Sequence, residues 1–358
     1  MLGKVVTMVS AAVLAKFILN YMDWLDVGDT FMFRVQPGDC RTVIHDGGAE
    51  DVTDLGEGLV IMSTGLGLGK GQGKMKLLDV NTERVTELEI MDAPGRDDFM
   101  TLPHGIYAWK DQESGSWLIY VLTHPADKDM IEVFEFIRTK RARGTMYSLK
   151  YLRTITDPNF KNMNDLVVVG RDQFYITKFW TYRPVQYYQL VVEVMTMRHW
   201  GGVMFYDGRR ARSVVEGLFQ PNGINMSPDG KMVYVAEFGN KRLLGYHRSI
   251  NNNLSPAWEE YADTLVDNIE VDADTGTLWI GCHPVNYRII DDMFGLFGYA
   301  LPSQVIRAEM TSDGRVAEIQ EVFADDGSRL YGSTAATNAS GKLVIGTVSR
   351  QAMICDMQ

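Results

Sequence analysis

The chain has 358 residues, of which 46% are hydrophobic, and 34 glycines against 11 prolines. That is enough apolar material for a large core, and the length suits one all-β barrel or propeller as readily as two domains. A net charge of −11 with no basic run excludes recognition of DNA or RNA through phosphate neutralisation.

Residues 1–22 have the form of a signal peptide or a retained signal-anchor. Lys4 precedes the apolar run 5–15, Lys16 interrupts it, and Phe17-Ile18-Leu19 resumes it. A spanning helix wants about 20 apolar residues, so the run is marginal as one. Val13 and Ala15 suit cleavage after Ala15, and retention as an anchor is equally open. Either route leads into the secretory pathway, to an extracellular or membrane-associated protein. A buried amphipathic helix of a cytosolic protein is the third reading.

Cys40, Cys282 and Cys355 lack the spacing of a zinc ribbon or a redox pair. Cys40 and Cys355 stand at the two ends of the folded region. Spacing leaves open a disulfide between them or three unrelated thiols; an oxidising compartment favours the disulfide.

A phrase recurs along the chain: a polar residue or pair, a short apolar strand, a Gly or Asp-Gly turn, then an aromatic or branched strand. Its clearest copies are 222–236, 267–281 and 164–176. Weaker copies open at Glu50-Asp51, at His104-Gly105-Ile106 and at Gly332-Ser333. Six copies, each with room for four strands, predict an all-β six-bladed propeller. Helical patterning is confined to the N-terminus and residues 185–198.

In a propeller the innermost strand of each blade lines the central channel. The polar residues that open the copies would therefore converge: Glu50, Asp51, His104, Asn164, Asp165, Asn222, Asp267 and Asn268. Four carboxylates and three amides are hard oxygen donors without a thiol, a set that suits calcium rather than zinc. Such Asp and Asn pairs are also ordinary turn residues, but here they recur at equivalent repeat positions. His104 belongs to the set and His124 follows one strand later, so the two could act as base and proton shuttle. His283 is a further candidate with no assigned role. No Gly-x-Ser-x-Gly elbow is present. The glycine-rich run 65–74 lacks a phosphate loop's ending and reads as a loop at the channel mouth.

Taken together, these phrases resemble the paraoxonase/arylesterase family. The stretches that carry the resemblance are Cys40-Arg41, Glu50-Asp51, Pro103-His104-Gly105-Ile106, His124-Pro125, Asn164-Asp165 and Asn222-Gly223-Ile224-Asn225. Ser227-Pro228-Asp229-Gly230, Leu265-Val266-Asp267-Asn268-Ile269, Trp279-Ile280-Gly281-Cys282-His283-Pro284, Gly332-Ser333-Thr334 and Ile345-Gly346-Thr347-Val348 complete them. They run in order over residues 40–355.

The resemblance implies a propeller domain over 40–355 and a calcium-dependent hydrolase of lactones and aryl esters. It implies two calcium ions. One is held by Glu50, Asn164, Asn222, Asp267 and Asn268; the deeper one by Asp51, Asp165 and the backbone carbonyl of Ile106. It implies a Cys40–Cys355 disulfide with Cys282 free, His104 as base with His124 as relay, and Asp267 as a competing base. It also implies lipid contact through the N-terminal segment and a lid helix within 185–198. The chain departs from the family pattern at the pocket-wall stretch 65–68, at Gln220-Pro221 and at Thr123, and matches it only loosely over 185–198, changes that spare the expected metal ligands and bear on substrate preference. Sequons at Asn253 and Asn338 are expected glycosylation sites, the first followed by Pro256. Two other readings are a non-catalytic, membrane-anchored relative that acts as a chaperone for membrane-channel assembly, and a propeller with different chemistry.

Overall fold

Six sheets radiate from one axis, each a four-stranded meander except the second, which has five strands. They are seen in a computed structural model that describes residues 2–28, 34–66, 73–126, 128–142, 144–182 and 187–357. The innermost strands are Asp51–Asp54, Ile106–Lys110, Met163–Gly170, Pro221–Met226, Leu265–Val271 and Ser333–Ala339. These six follow, one for one, the openings of the six repeat copies. The Asp-Gly turns behave as their residue types require. Gly230 has φ of 71°, and the Asp229 carboxylate accepts from the Ser227 hydroxyl at 2.7 Å and the Lys231 N–H at 3.1 Å.

Strand alternation explains the core. Phe174 packs toward the second blade and Tyr175 toward the fourth, both fully buried. The same alternation in every blade yields six apolar seams, one between each pair of neighbours. Among the described residues three α-helices decorate one end: α1 (Leu2–Trp24), α2 (Tyr187–Met195) and α3 (Asn286–Phe294). The first two were expected from the sequence; α3 corrects the expectation of only two helical regions. It is short, follows Pro284, and its Ile289-Ile290 pair reads as strand. Its one sequence sign is Gly295, a left-handed C-cap with φ of 60°. Residues 67–72 of the glycine-rich run, and 185–186 at the start of the expected lid helix, lie outside the described residues.

The ring closes through the chain's two ends. Strand Cys40–Ile44 forms the outer strand of the sixth blade, against Ala352–Asp356. Cys40 pairs with Cys355 in register, and a disulfide joins them across 315 positions. Cross-linking a loop that long stabilises by about 5 kcal/mol in the chain-entropy model. Arg41 reinforces the seam by pairing with Glu83 of the first blade and Asp356 of the sixth. Cys282 is a buried free thiol whose pKa burial pushes well up.

Candidate active site

The channel residues sit where the inner strands lose register with their neighbours. The ladder slips between Met163 and Leu166, between Pro221 and Ile224, and between Val266 and Ile269. Each slip brackets an expected ligand: Asn164 and Asp165, Asn222, Asp267 and Asn268. A bulge turns side chains out of the pleat, here toward the axis. Glycine allows the blades to crowd together at this level. A Cβ on Gly105 would lie 2.6 Å from the Asp165 carboxylate, and one on Gly223 would lie 2.5 Å from the Asp267 carbonyl.

Five of these side chains carry a buried oxygen with no protein partner: Glu50 Oε2, Asn164 Oδ1, Asn222 Oδ1, Asp267 Oδ1 and Asn268 Oδ1. Leaving one such atom unsatisfied costs about 1–3 kcal/mol. Five together form a cluster of acceptors that suits a cation. Glu50, Asn164, Asn222 and Asp267 line one cavity, and Asn268 donates to Glu50 Oε1 at 3.0 Å. Among the described residues no three His, Cys, Asp or Glu side chains form a metal cluster. The donors are instead two carboxylates diluted by three amides. Their charge of −2 and oxygen chemistry fit one hard divalent cation such as calcium.

Asp51 and Asp165 lie deeper, each with both oxygens engaged. Asp51 accepts from the Val52 and Ile106 N–H groups at 2.8 and 2.7 Å. Asp165 accepts from Leu166 and Ile224 at 2.7 and 2.8 Å. Ile106 thus meets Asp51 through its N–H. Burial pushes both carboxyl pKa values well up, and repulsion from Asp165 and Glu50 adds to the effect at Asp51. Glu270, absent from the expected set, joins the same channel. It accepts from Thr53, from the Asp54 N–H and from Asn225, at 3.0–3.1 Å. Burial raises its pKa to about 8.

At the channel mouth the two histidines meet. His104 Nδ1 lies 2.8 Å from His124 Nε2, His124 Nδ1 lies 3.0 Å from Asp129 Oδ1, and His104 Nε2 lies 3.2 Å from Glu50 Oε1. The Asp129 carboxylate only accepts, so His124 donates through Nδ1 and accepts from His104 at Nε2. By the same rule the Glu50 carboxylate accepts from His104 Nε2 when that ring is protonated, and it is the neutral ring, with this proton released, that presents Nε2 as a basic nitrogen. Burial works to lower the His104 pKa, but the Glu50 charge and hydrogen bond outweigh it and the pKa rises. Burial lowers the His124 pKa, with Asp129 opposing. His283 acquires a positioning role, since its Nε2 holds Asp267 Oδ2 at 2.9 Å. Asp129 was not legible because it lies in a connection between strands, outside the repeat.

The cavity above has a volume of about 940 Å³, with Tyr21 and Trp24, Leu190 and Val194, and Ile289 and Ile290 among its lining residues. These six come from α1, α2 and α3 in pairs. Of the departures from the family pattern, Leu66 and Gln220 line the cavity, whereas Thr123 and Pro221 are buried in strands and are not among its lining residues.

The arylesterase family model matches residues 33–357. The chain belongs to the arylesterase family. Human serum paraoxonase/arylesterase 1 is 35% identical over 322 residues, covering 87% of this chain and 86% of its own length. Rabbit serum paraoxonase/lactonase 3 is 33% identical, covering 90% of this chain and 89% of its own length. Among solved structures, a luciferin-regenerating enzyme superposes with a TM-score of 0.54 at 10% identity, covering 89% of this chain and 95% of its own. Regucalcin of Agrobacterium tumefaciens, a calcium-binding protein, superposes with a TM-score of 0.51 at 14% identity, covering 91% and 96%. These two likenesses show the fold alone.

Proposed function

We propose that this arylesterase-family protein is a calcium-dependent hydrolase of lactones and aryl esters. The observation that carries the reading is the ring of five orphaned oxygens beside a paired His104 and His124. Glu50, Asn164, Asn222, Asp267 and Asn268 hold the catalytic calcium. Asp51, Asp165 and the Ile106 carbonyl would hold a second ion, a reading supported by the burial in one channel of two carboxylates close enough to repel each other. Calcium, when bound, supplies Lewis-acid polarisation of the ester carbonyl.

The chain's own residues do the rest. His104 Nε2 takes a proton from water, and its Nδ1 proton shifts toward His124 Nε2. Asp129 keeps the His124 ring in the tautomer that can receive it. Asp267 is the poorer base: one oxygen belongs to the ring and the other to His283. The apolar cavity walls orient the ester and exclude bulk water. Asp129→Asn should lower kcat about tenfold with little change in KM, and should shift the pH profile. Unaltered kcat and pH profile would remove Asp129 from the relay.

The Cys40–Cys355 disulfide and the serum relatives support a secretory-pathway protein. Among the described residues no helix is long and apolar enough to cross a membrane. The α1 side chains Val13, Leu14 and Phe17 and the α2 side chain Val192 are exposed, which supports contact with a lipid surface. Retention of the N-terminal segment fits the same picture. Tyr21 reaches Met195 of α2 at 3.0 Å, and Trp24 donates to the Gly239 carbonyl at 2.8 Å. Asn253, exposed in a turn, is the better-placed glycan acceptor. Asn338 lies in the sixth inner strand with its amide oxygen buried.

The test is turnover by the purified full-length chain on phenyl acetate and a panel of γ- and δ-lactones. Hydrolysis of at least one substrate is expected. No turnover on any of them, with calcium bound, would favour the chaperone reading.

A further inference from the structure

The second blade carries a projection that the reaction does not use. Its strands Met130–Arg141 and Gly144–Ile155 are 12 residues each, the longest among the described residues. On one side, strand Met130–Arg141 has a neighbour only as far as Phe136, which pairs with Trp117. On the other, strand Gly144–Ile155 meets strand Glu89–Met91 only from Ser148 onward. Residues 137–141 and 144–147 therefore form a two-stranded ribbon with both edges open. Thr123 pairs with Met130 at the end where His124 stands, and Trp117 with Phe136 at the other. The ribbon thus projects from the end of the propeller opposite the cavity mouth.

Its end carries Arg138-Thr139-Lys140-Arg141, followed by Ala142. Arg138, Lys140, Arg141 and Ala142 are exposed. The cluster is too short for a nucleic acid, and charges at an open edge also keep strands from pairing with other chains. The spacing goes further. Arginine, any residue, lysine, arginine is the pattern read by the paired-basic-specific endoproteases of the secretory pathway. Their acidic clefts take the first arginine four positions before the cut, and the lysine and second arginine directly before it.

Access is the second requirement, since a protease cleft takes a single extended strand and the ribbon end has to open. A two-stranded ribbon alone is marginally stable in water. The four pairs from Arg138–Tyr147 to Arg141–Gly144 bury little, because Gly144, Thr145 and Met146 are exposed as well. Arg138 pairs with Glu57 at 2.6 Å, but the Glu57 side chain is exposed and holds it weakly. Opening therefore costs little, and cleavage follows the population of the opened state. Basic pairs elsewhere lack this combination. Lys241, before Arg242, is buried against Asp26. Arg209 and Arg210 donate their N–H groups to the Asp207 carboxylate, and the N–H of the buried Ala211 that follows is held by Asp157.

We propose that the Arg141–Ala142 bond is a processing site for a paired-basic-specific endoprotease, and that the processed protein is a two-chain molecule. Water adds across the bond, leaving a carboxylate on Arg141 and an ammonium on Ala142. The inference goes beyond the hydrolase reading and rests on the secretory-pathway one, which brings chain and protease together. The Cys40–Cys355 disulfide spans the cut and keeps the pieces covalently joined. Glu50, His104 and His124 then belong to one chain, and Asn164, Asn222, Asp267 and Asn268 to the other. The ladder from Ile131 to Ile137 stays paired across the two chains.

The experiment is incubation of the purified full-length protein, in calcium, with furin as the protease. Wild type is compared with Arg138→Gln and Arg141→Gln. Wild type should yield two chains, the second beginning at Ala142, that separate on a gel only after reduction. Both variants should be cut at least about tenfold more slowly. The Arg138 result separates recognition from access, because loss of the Glu57 pair alone would loosen the ribbon and speed the cut. Wild type left intact under conditions that cut a peptide of residues 136–145 would overturn the proposal. So would cuts at other bonds, or an undiminished rate in Arg138→Gln. Intact wild type that heparin–agarose retains, and both variants that it releases, would assign the ribbon to a sulfated polysaccharide and overturn the proposal. Two chains that part without reduction would overturn the two-chain form and, with it, the oxidising compartment.

Discussion

His104→Gln should lower turnover of phenyl acetate by about a hundredfold while leaving the melting temperature within a few degrees of wild type. A positioned general base is worth about 10²–10⁴ in rate, and glutamine cannot take a proton at the position of Nε2. The fold should tolerate the change because His104 opens onto the cavity and its contacts, Glu50 and His124, are side chains rather than ladder partners. KM should change little, since the imidazole acts on water rather than on the ester. His124→Gln should be milder, because the basic nitrogen remains on His104. Near-wild-type turnover in His104→Gln would hand the role of base to Asp267, despite its commitment to His283.

Chelation should be the largest single perturbation. EDTA should abolish turnover, and calcium added back promptly should restore it. Stability should fall as well. A ligand present at about a thousandfold above its Kd contributes about 4 kcal/mol to the folded state, which for a domain of this size is on the order of 8 °C in melting temperature. The physical cause is twofold. Five oxygens lose their only partner, and Glu50, Asp51, Asp165 and Asp267 are left as buried carboxylates in one channel. Asp165→Ala should act in the same direction and reduce soluble yield, because it also removes the acceptor of the Leu166 and Ile224 N–H groups. Turnover and melting temperature that ignore EDTA would contradict this.

Much of the site was legible because a propeller turns sequence repetition into spatial convergence. The residue pair that opens each copy must reach the axis, so Asn164-Asp165, Asn222 and Asp267-Asn268 could be placed together without coordinates. The bulges that aim them were not legible, since a register slip leaves no mark on the residue pattern. Asp129 and α3 escaped for a related reason: both lie in connections, where the repeat imposes nothing. Glu270 was hidden differently. It sits two residues beyond Asn268 on an inner strand, where alternation points it into the channel, but the other copies show no carboxylate at that step to mark it. The fifth strand of the second blade, Glu89–Met91, escaped because it pairs in parallel with the blade's outer strand, outside the meander pattern.

The most direct measurement is a crystal structure of the full-length protein grown with calcium. Density is expected for a cation about 2.3–2.6 Å from Glu50 Oε2, Asn164 Oδ1, Asn222 Oδ1, Asp267 Oδ1 and Asn268 Oδ1. Those five oxygens bound only to water or to other protein groups at saturating calcium would contradict the proposed metal centre.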